Sequence, residues 1–158
     1  MIKFTDASVV FEEIPGKVTL AVNISNCQRR CEGCHSSYLR DDIGKDLEPV
    51  LPSLLQKYGA YIECVCFLGE GNDPEALARC IRLVRQSGLE VALYSGALTY
   101  DDIPVCKIVG RRGLDYLKIG PYFEELGPLN NPKTNQRLYQ TKGDWLLDIT
   151  NKFWRDLK

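Results

Sequence analysis

The chain has 158 residues, of which 44% are hydrophobic and 26% charged, and its formal net charge is −1. These values are those of an ordinary globular protein, and they predict a single domain over residues 1–158. The charge gives no reason to expect a nucleic-acid partner, and no apolar run approaches the roughly 20 residues that span a membrane. The first residues, MIKFTDASVVFEEIPGK, lack the apolar core of a secretion signal, so we expect a cytoplasmic location.

Strand and helix patterns alternate along the chain. In order, they predict a strand at Lys17–Ile24, a helix at Asp46–Tyr58, a strand at Cys64–Leu68, a helix at Glu75–Gln86, a strand at Glu90–Tyr94, a short helix at Tyr100–Lys107 and a strand at Leu114–Ile119. The tail adds RLYQ and WLLDI as two short strands. This order predicts an α/β fold, either an open, mostly parallel sheet with flanking helices or a partial (β/α) barrel.

Three cysteines follow the first predicted strand. Cys27, Cys31 and Cys34 have the spacing C-x3-C-x2-C, and soft thiolates at such short spacing favour zinc or an iron–sulfur cluster. A structural zinc usually has four protein ligands in two separated pairs, and no second pair of that kind is present. The protein has only one histidine, His35, so sites built from several histidines are excluded. Three ligands on a cubane cluster would leave one iron open to a substrate or cofactor.

This spacing resembles the signature of radical S-adenosylmethionine enzymes. Within that superfamily the chain is similar to the activating enzymes of glycyl-radical proteins, and in particular to the activating proteins of anaerobic ribonucleoside-triphosphate reductases. Three further stretches carry the resemblance: CVCFLGEGNDPE, LDYLKIGPYFEELGPL and NQRLY at Asn135–Tyr139. The resemblance extends from about Val18 to the end of the sequence, and it implies a partial barrel of the radical S-adenosylmethionine type.

The resemblance also implies a function. Cys27, Cys31 and Cys34 would hold a 4Fe–4S cluster, and S-adenosylmethionine would chelate the fourth iron. Reductive cleavage of this cofactor would then produce a glycyl radical on the large subunit of an anaerobic (class III) ribonucleotide reductase. A flavodoxin- or ferredoxin-type protein would donate the electron. Gly33, Cys34 and His35 would lie against the cofactor, with Gly33 permitting close approach because it has no side chain.

A second family landmark is altered in this chain. The resemblance implies a Gly-Gly-Glu or Gly-Gly-Asp after the second strand that contacts the amino group of S-adenosylmethionine. Here the corresponding residues are Gly69, Glu70 and Gly71, so the carboxylate stands one position early. Asp73 is the other candidate for this contact. The same loop has a structural interpretation, in which Asn72 or Asp73 caps the helix that begins near Pro74.

Other interpretations remain open at this point. Another small radical S-adenosylmethionine enzyme could act on a different glycyl-radical enzyme or on a free metabolite. A non-catalytic metal or electron-transfer module is the third class. The remaining thiols, Cys64, Cys66, Cys80 and Cys106, are expected to be small core residues.

Overall fold

A computed structural model describes residues 1–27 and 41–154 of the chain. Its strands are β1 (Lys3–Val10), β2 (Thr19–Ile24), β3 (Lys45–Asp46), β4 (Cys64–Leu68), β5 (Glu90–Tyr94), β6 (Tyr116–Ile119), β7 (Arg137–Lys142) and β8 (Trp145–Asp148). Its helices are α1 (Leu47–Tyr58), α2 (Pro74–Gln86) and α3 (Pro104–Val109), with 3₁₀ turns at Tyr100–Asp102, Arg111–Gly113 and Thr150–Trp154. Within these ranges, no helix combines the length and the apolar character needed to cross a membrane.

The eight strands form one open sheet in the order β3-β1-β2-β4-β5-β6-β7-β8. Strands β2, β4, β5 and β6 run parallel in its centre, because α1, α2 and α3 each connect one of them to the next. The edge strands pair antiparallel: β1 with β2 and β3, β7 with β6, and β8 with β7. The prediction of an open α/β sheet is therefore confirmed.

The prediction of a mostly parallel sheet is wrong. Among the described strands, three pairings are parallel and four are antiparallel. Strand β1 and the two-residue β3 have no counterpart among the predicted elements, and both add antiparallel pairings. At the other edge β7 and β8 form a hairpin whose two-residue loop begins at Gly143, with φ of 63°. Such a short loop can join only antiparallel strands.

The helices begin where the local chemistry favours a start. The Asp73 carboxylate accepts a hydrogen bond from the backbone N–H of Ala76 at 3.1 Å, and Pro74 occupies the first position of α2. Helix α1 begins after Asp46 as predicted and continues through Pro52. It buries Leu47, Leu51 and Leu55, which lie on one face because they are four residues apart.

Both faces of the central sheet are covered, which explains the continuous apolar run in β4. Val65 and Phe67 belong to the larger core, which includes buried residues of all three helices. Cys64 and Cys66 point to the opposite face and pack in a smaller cluster with Tyr116. The expectation of a strand buried on both faces is confirmed.

Candidate functional site

The carboxyl ends of the four parallel strands meet at one edge of the sheet. Cys27 follows β2, Gly69–Gly71 follow β4, Ser95 follows β5 and Gly120 follows β6. Backbone hydrogen bonds join neighbouring turns, from Gly69 N to Tyr94 O at 3.0 Å and from Ser95 N to Lys118 O at 2.8 Å. In open α/β sheets ligands bind at the carboxyl ends of parallel strands, so this edge is the candidate site.

A cavity of about 570 Å³ opens at this edge. Its size lies within the range of pockets that bind small molecules or cofactors, about 300–1,000 Å³. The described lining residues are Cys27, Gly69, Glu70, Gly71, Asn72, Pro74, Leu77, Gly96, Leu98, Asp102, Pro104 and Val105. The structure thus places Cys27 and the predicted Gly69–Glu70–Gly71 loop on the same cavity.

The glycines of this loop are required by its backbone. Gly69 and Gly71 have φ values of 113° and 66°, in the left-handed region that favours glycine. A Cβ atom on Gly71 would lie 2.9 Å from Cγ2 of Ile24, closer than two carbon atoms can pack. The loop therefore lies tightly against the end of β2, next to the segment that leads to Cys27.

The two candidate carboxylates have different surroundings. Glu70 lines the cavity and accepts a hydrogen bond from Ser95 Oγ, with 2.6 Å between Oγ and Oε2. Asp73 caps α2 through Ala76 and also forms an ion pair with the amino group of Met1 at 2.5 Å. The hydrogen bond from that ammonium group, followed by the one from Ala76, lowers the pKa of Asp73. The structure thus places Glu70 on the cavity and Asp73 at the start of the helix.

The predicted cysteine cluster is only partly described. Cys27 is partly exposed and lines the cavity, whereas Cys31, Cys34, Gly33 and His35 lie outside the described residues. The described residues on either side of this gap are neighbours, because Asn26 N donates to Asp41 O at 2.9 Å. Within residues 1–27 and 41–154, no group of three or more His, Cys, Asp or Glu side chains is arranged to hold a metal ion.

The other four cysteines lie in the core, as expected from their apolar neighbours. Cys64, Cys66, Cys80 and Cys106 are each at most 2% exposed. Burial raises the pKa of Cys80 and Cys106 to about 12 and raises the pKa of Cys64 and Cys66 as well. A thiol whose pKa is this high is protonated at neutral pH and is a poor nucleophile or metal ligand.

Three polar residues at this edge were not predicted from the sequence as members of the site. Ser95 is 1% exposed, Lys118 is 8% exposed, and Asp102 lines the cavity as a second, exposed carboxylate. The Lys118 ammonium donates to Ser95 O at 3.1 Å and to Gly120 O at 3.0 Å. The sequence signal for Lys118 was a lysine within the otherwise apolar YLKI strand. A charge buried in a strand needs hydrogen-bond partners, so such a lysine indicates polar groups nearby.

The Asn135–Tyr139 stretch contacts the turn that follows β6. Gln136 Nε2 donates to Gly120 O at 3.4 Å, and Asn135 Nδ2 donates to Pro121 O at 3.1 Å. Gly120 has φ of 104°, and a Cβ there would lie 3.1 Å from Cα of Gln136. Two of the three stretches that carry the resemblance, LDYLKIGPYFEELGPL and NQRLY, therefore contact one another at the carboxyl edge.

Comparisons with known proteins identify no family for this chain. A scan of family models, a search of curated proteins and a search of solved structures each found no match.

Proposed function

We propose that the protein is a radical S-adenosylmethionine enzyme that generates a glycyl radical on an anaerobic (class III) ribonucleotide reductase. The observation that carries the proposal is the shared cavity, which brings Cys27 together with the Gly69–Glu70–Gly71 loop. The sequence resemblance implies this combination of a cluster ligand and a carboxylate loop, and the parallel strands give a physical reason for it. The open sheet would be the scaffold of a partial barrel.

The described residues fit the implied cofactors. Cys27 supplies a soft thiolate, and Cys31 and Cys34 would complete the ligand set of a 4Fe–4S cluster. The Glu70 carboxylate lines the cavity, where it can accept hydrogen bonds from the amino group of S-adenosylmethionine. Positive φ values at Gly69 and Gly71 turn the backbone beside the ligand without adding side chains. Gly33, Cys34 and His35, which lie outside the described residues, are proposed to contact the cofactor as well.

The protein's own contribution is binding, orientation and exclusion of water. When bound, the reduced cluster and S-adenosylmethionine supply a one-electron cleavage that yields methionine and a 5′-deoxyadenosyl radical. Leu77, Val105 and Pro74 line the cavity with apolar surface, which would help to keep water from a bound cofactor. The substrate would be a glycine in a loop of the reductase large subunit, and a flavodoxin- or ferredoxin-type protein would donate the electron in the cytoplasm.

One feature of the cavity favours a protein substrate over a metabolite. Leu98 lines the cavity and is 70% exposed, so apolar surface continues from the cavity to its rim. An inserted protein loop would cover this side chain, whereas a metabolite enzyme needs a pocket that closes over a small ligand.

The test is anaerobic reconstitution with iron and sulfide, followed by reduction in the presence of S-adenosylmethionine. The proposal predicts formation of 5′-deoxyadenosine and methionine. Tight zinc binding without a cluster would refute it and would favour a non-catalytic metal module. Addition of an anaerobic reductase should then give a glycyl-radical signal in electron paramagnetic resonance. Cleavage without that signal would favour a different glycyl-radical enzyme or a metabolite as the substrate.

A further inference from the structure

Glu70 stands between two glycines in the turn that follows β4. Both neighbours, Gly69 and Gly71, adopt backbone conformations that other residues rarely adopt, so the loop carries no adjacent side chain to pack against Glu70. A carboxylate that must receive a ligand in one orientation needs an anchor from another element. Strand β5 supplies a candidate anchor, because the first residue after it is Ser95.

The hydroxyl of Ser95 donates its proton to the Glu70 carboxylate. Ser95 Oγ accepts a hydrogen bond from Ala97 N at 3.0 Å and lies 2.6 Å from Glu70 Oε2. Because an ionised carboxylate can only accept, the hydroxyl must donate to Glu70. The distance is that of a charge-assisted O–H···O⁻ bond, about 2.5–2.7 Å, which is shorter and stronger than a neutral one.

Strand β6 fixes the backbone of Ser95 from the other side. Ser95 N donates to Lys118 O at 2.8 Å, and the Lys118 ammonium donates back to Ser95 O at 3.1 Å. The same ammonium holds Gly120 O at 3.0 Å, and Gly120 N donates to Ala97 O at 2.6 Å. Hydrogen bonds therefore hold both the side chain and the main chain of Ser95, which is 1% exposed.

We propose that Ser95 is a positioning residue whose hydroxyl orients the Glu70 carboxylate toward the ammonium group of the cavity's ligand. Lys118 supports it by joining the turns that follow β5 and β6. This inference rests on the proposed function, because the ligand is taken to be S-adenosylmethionine. It assigns to Ser95 no contact with the ligand, so its effect must pass through Glu70.

The test measures the affinity of the cluster-loaded protein for S-adenosylmethionine and for 5′-methylthioadenosine, which lacks the amino-acid part. Loss of one hydrogen bond to a charged group predicts roughly tenfold weaker binding of S-adenosylmethionine by Ser95→Ala, with little change for 5′-methylthioadenosine. Ser95→Thr, which keeps a hydroxyl, should recover much of the loss. In a Glu70→Gln background, Ser95→Ala should add little. Ser87→Ala, which removes a serine hydroxyl at the end of α2, is the matched control.

Unchanged affinity of Ser95→Ala for S-adenosylmethionine would overturn the inference, as would equal weakening for both ligands. A double-mutant cycle on the unfolding of the ligand-free protein, with Ser95→Ala and Glu70→Ala, supplies an independent measurement. The inference predicts that the two losses of stability are not additive, and additivity would refute the anchoring contact. If the wild-type protein fails to bind S-adenosylmethionine, the proposed function fails, while the cycle still decides whether Ser95 holds Glu70.

Discussion

The two ends of the four parallel strands differ in what closes them. At the amino end each strand is preceded or begun by a charged residue, and these residues pair with charged partners. Lys17 bridges Glu63 at 3.6 Å and Glu90 at 3.0 Å, and Asp115 pairs with Arg85 at 3.0 Å. At the carboxyl end the turns contain glycine and a buried serine, a buried lysine of β6 donates to two of these turns, and a cavity opens beside them.

This difference assigns separate tasks to the two ends. Each exposed ion pair adds little to the free energy of unfolding. The ion pairs at the amino end therefore stabilise the sheet only modestly. The carboxyl end combines glycine turns of positive φ with buried polar groups that hydrogen-bond one another, an arrangement suited to the edge of a ligand-binding cavity. Substitutions at the two ends should therefore have different consequences, and five predictions test this.

The largest effect is expected at Cys27. Cys27→Ser replaces the soft thiolate by a hydroxyl, so the protein should fail to hold a complete cluster and should form no 5′-deoxyadenosine. Iron and sulfide content and product formation after anaerobic reconstitution measure this. The control is Cys80→Ala in the core of α2, which should lower stability but retain detectable cleavage. Full activity of Cys27→Ser would contradict the cluster assignment.

The next largest effect compares two glycines with positive φ. Gly71→Ala should lower the free energy of unfolding by about 2–4 kcal/mol, because it combines left-handed backbone strain with overpacking against Ile24. Gly88→Ala, near the amino end of β5, should cost only about 1–2 kcal/mol, since its φ is 81° but no atom lies within 4 Å of the added Cβ. Chemical denaturation measures both, and equal losses would show that the carboxyl-edge loop is not tightly packed.

Much of the scaffold could be predicted from the sequence, for local reasons. The CVCFL run and the Asp73-Pro74 helix start are local signals, and the structure confirms β4, β5 and α2 at or within one residue of the predicted positions. Strand β1 has a partly exposed face and polar residues within it, so its strand character depends on pairing with β2. The two-residue β3 carries no periodic signal at all.

The sequence could predict only those parts of the candidate site whose proximity follows from the order of the strands. Parallel strands bring their carboxyl ends together, so the proximity of Cys27 to the Gly69–Gly71 loop follows from the predicted strand order. The choice of Glu70 over Asp73 needed the direction of each side chain. The contact between Ser95 and Glu70 joins turns 25 residues apart, and no periodic pattern reports it.

A smaller effect separates the two carboxylates of the loop. Asp73→Ala removes the cap of α2 and should cost about 1 kcal/mol of stability without changing the affinity for S-adenosylmethionine. Glu70→Gln should show the reverse, with weaker binding and little loss of stability. Denaturation and equilibrium binding of each variant distinguish these outcomes. If only Asp73→Ala bound S-adenosylmethionine more weakly, Asp73 and not Glu70 would be the residue that contacts its ammonium group.

The pH dependence of the Asp73 effect has a defined sign. The pKa of Asp73 is lowered in the folded protein, so its carboxylate contributes stability that is present above the unfolded value of 3.8 and is lost as pH falls through the folded value. The difference in stability between wild type and Asp73→Ala should therefore shrink below about pH 3.8. A difference that stays constant to pH 2 would show that the charge plays no part in the cap.

The smallest effect is expected at the amino end. Lys17→Met should lower the free energy of unfolding by less than about 1 kcal/mol, because both ion pairs of Lys17 are at least partly exposed. Denaturation at low and high salt measures the effect, which should fade as salt screens the charges. A loss as large as that of Gly71→Ala would overturn the division of tasks between the two ends.

The most direct test of the central claim is a crystal structure of the anaerobically reconstituted protein with S-adenosylmethionine. Our prediction is that the ligand lies in the cavity between Cys27 and the Gly69–Gly71 loop, with its amino nitrogen within hydrogen-bond distance of Glu70, and that Cys27, Cys31 and Cys34 hold a 4Fe–4S cluster. A zinc ion on these cysteines, or S-adenosylmethionine bound away from the carboxyl ends of the parallel strands, would contradict it.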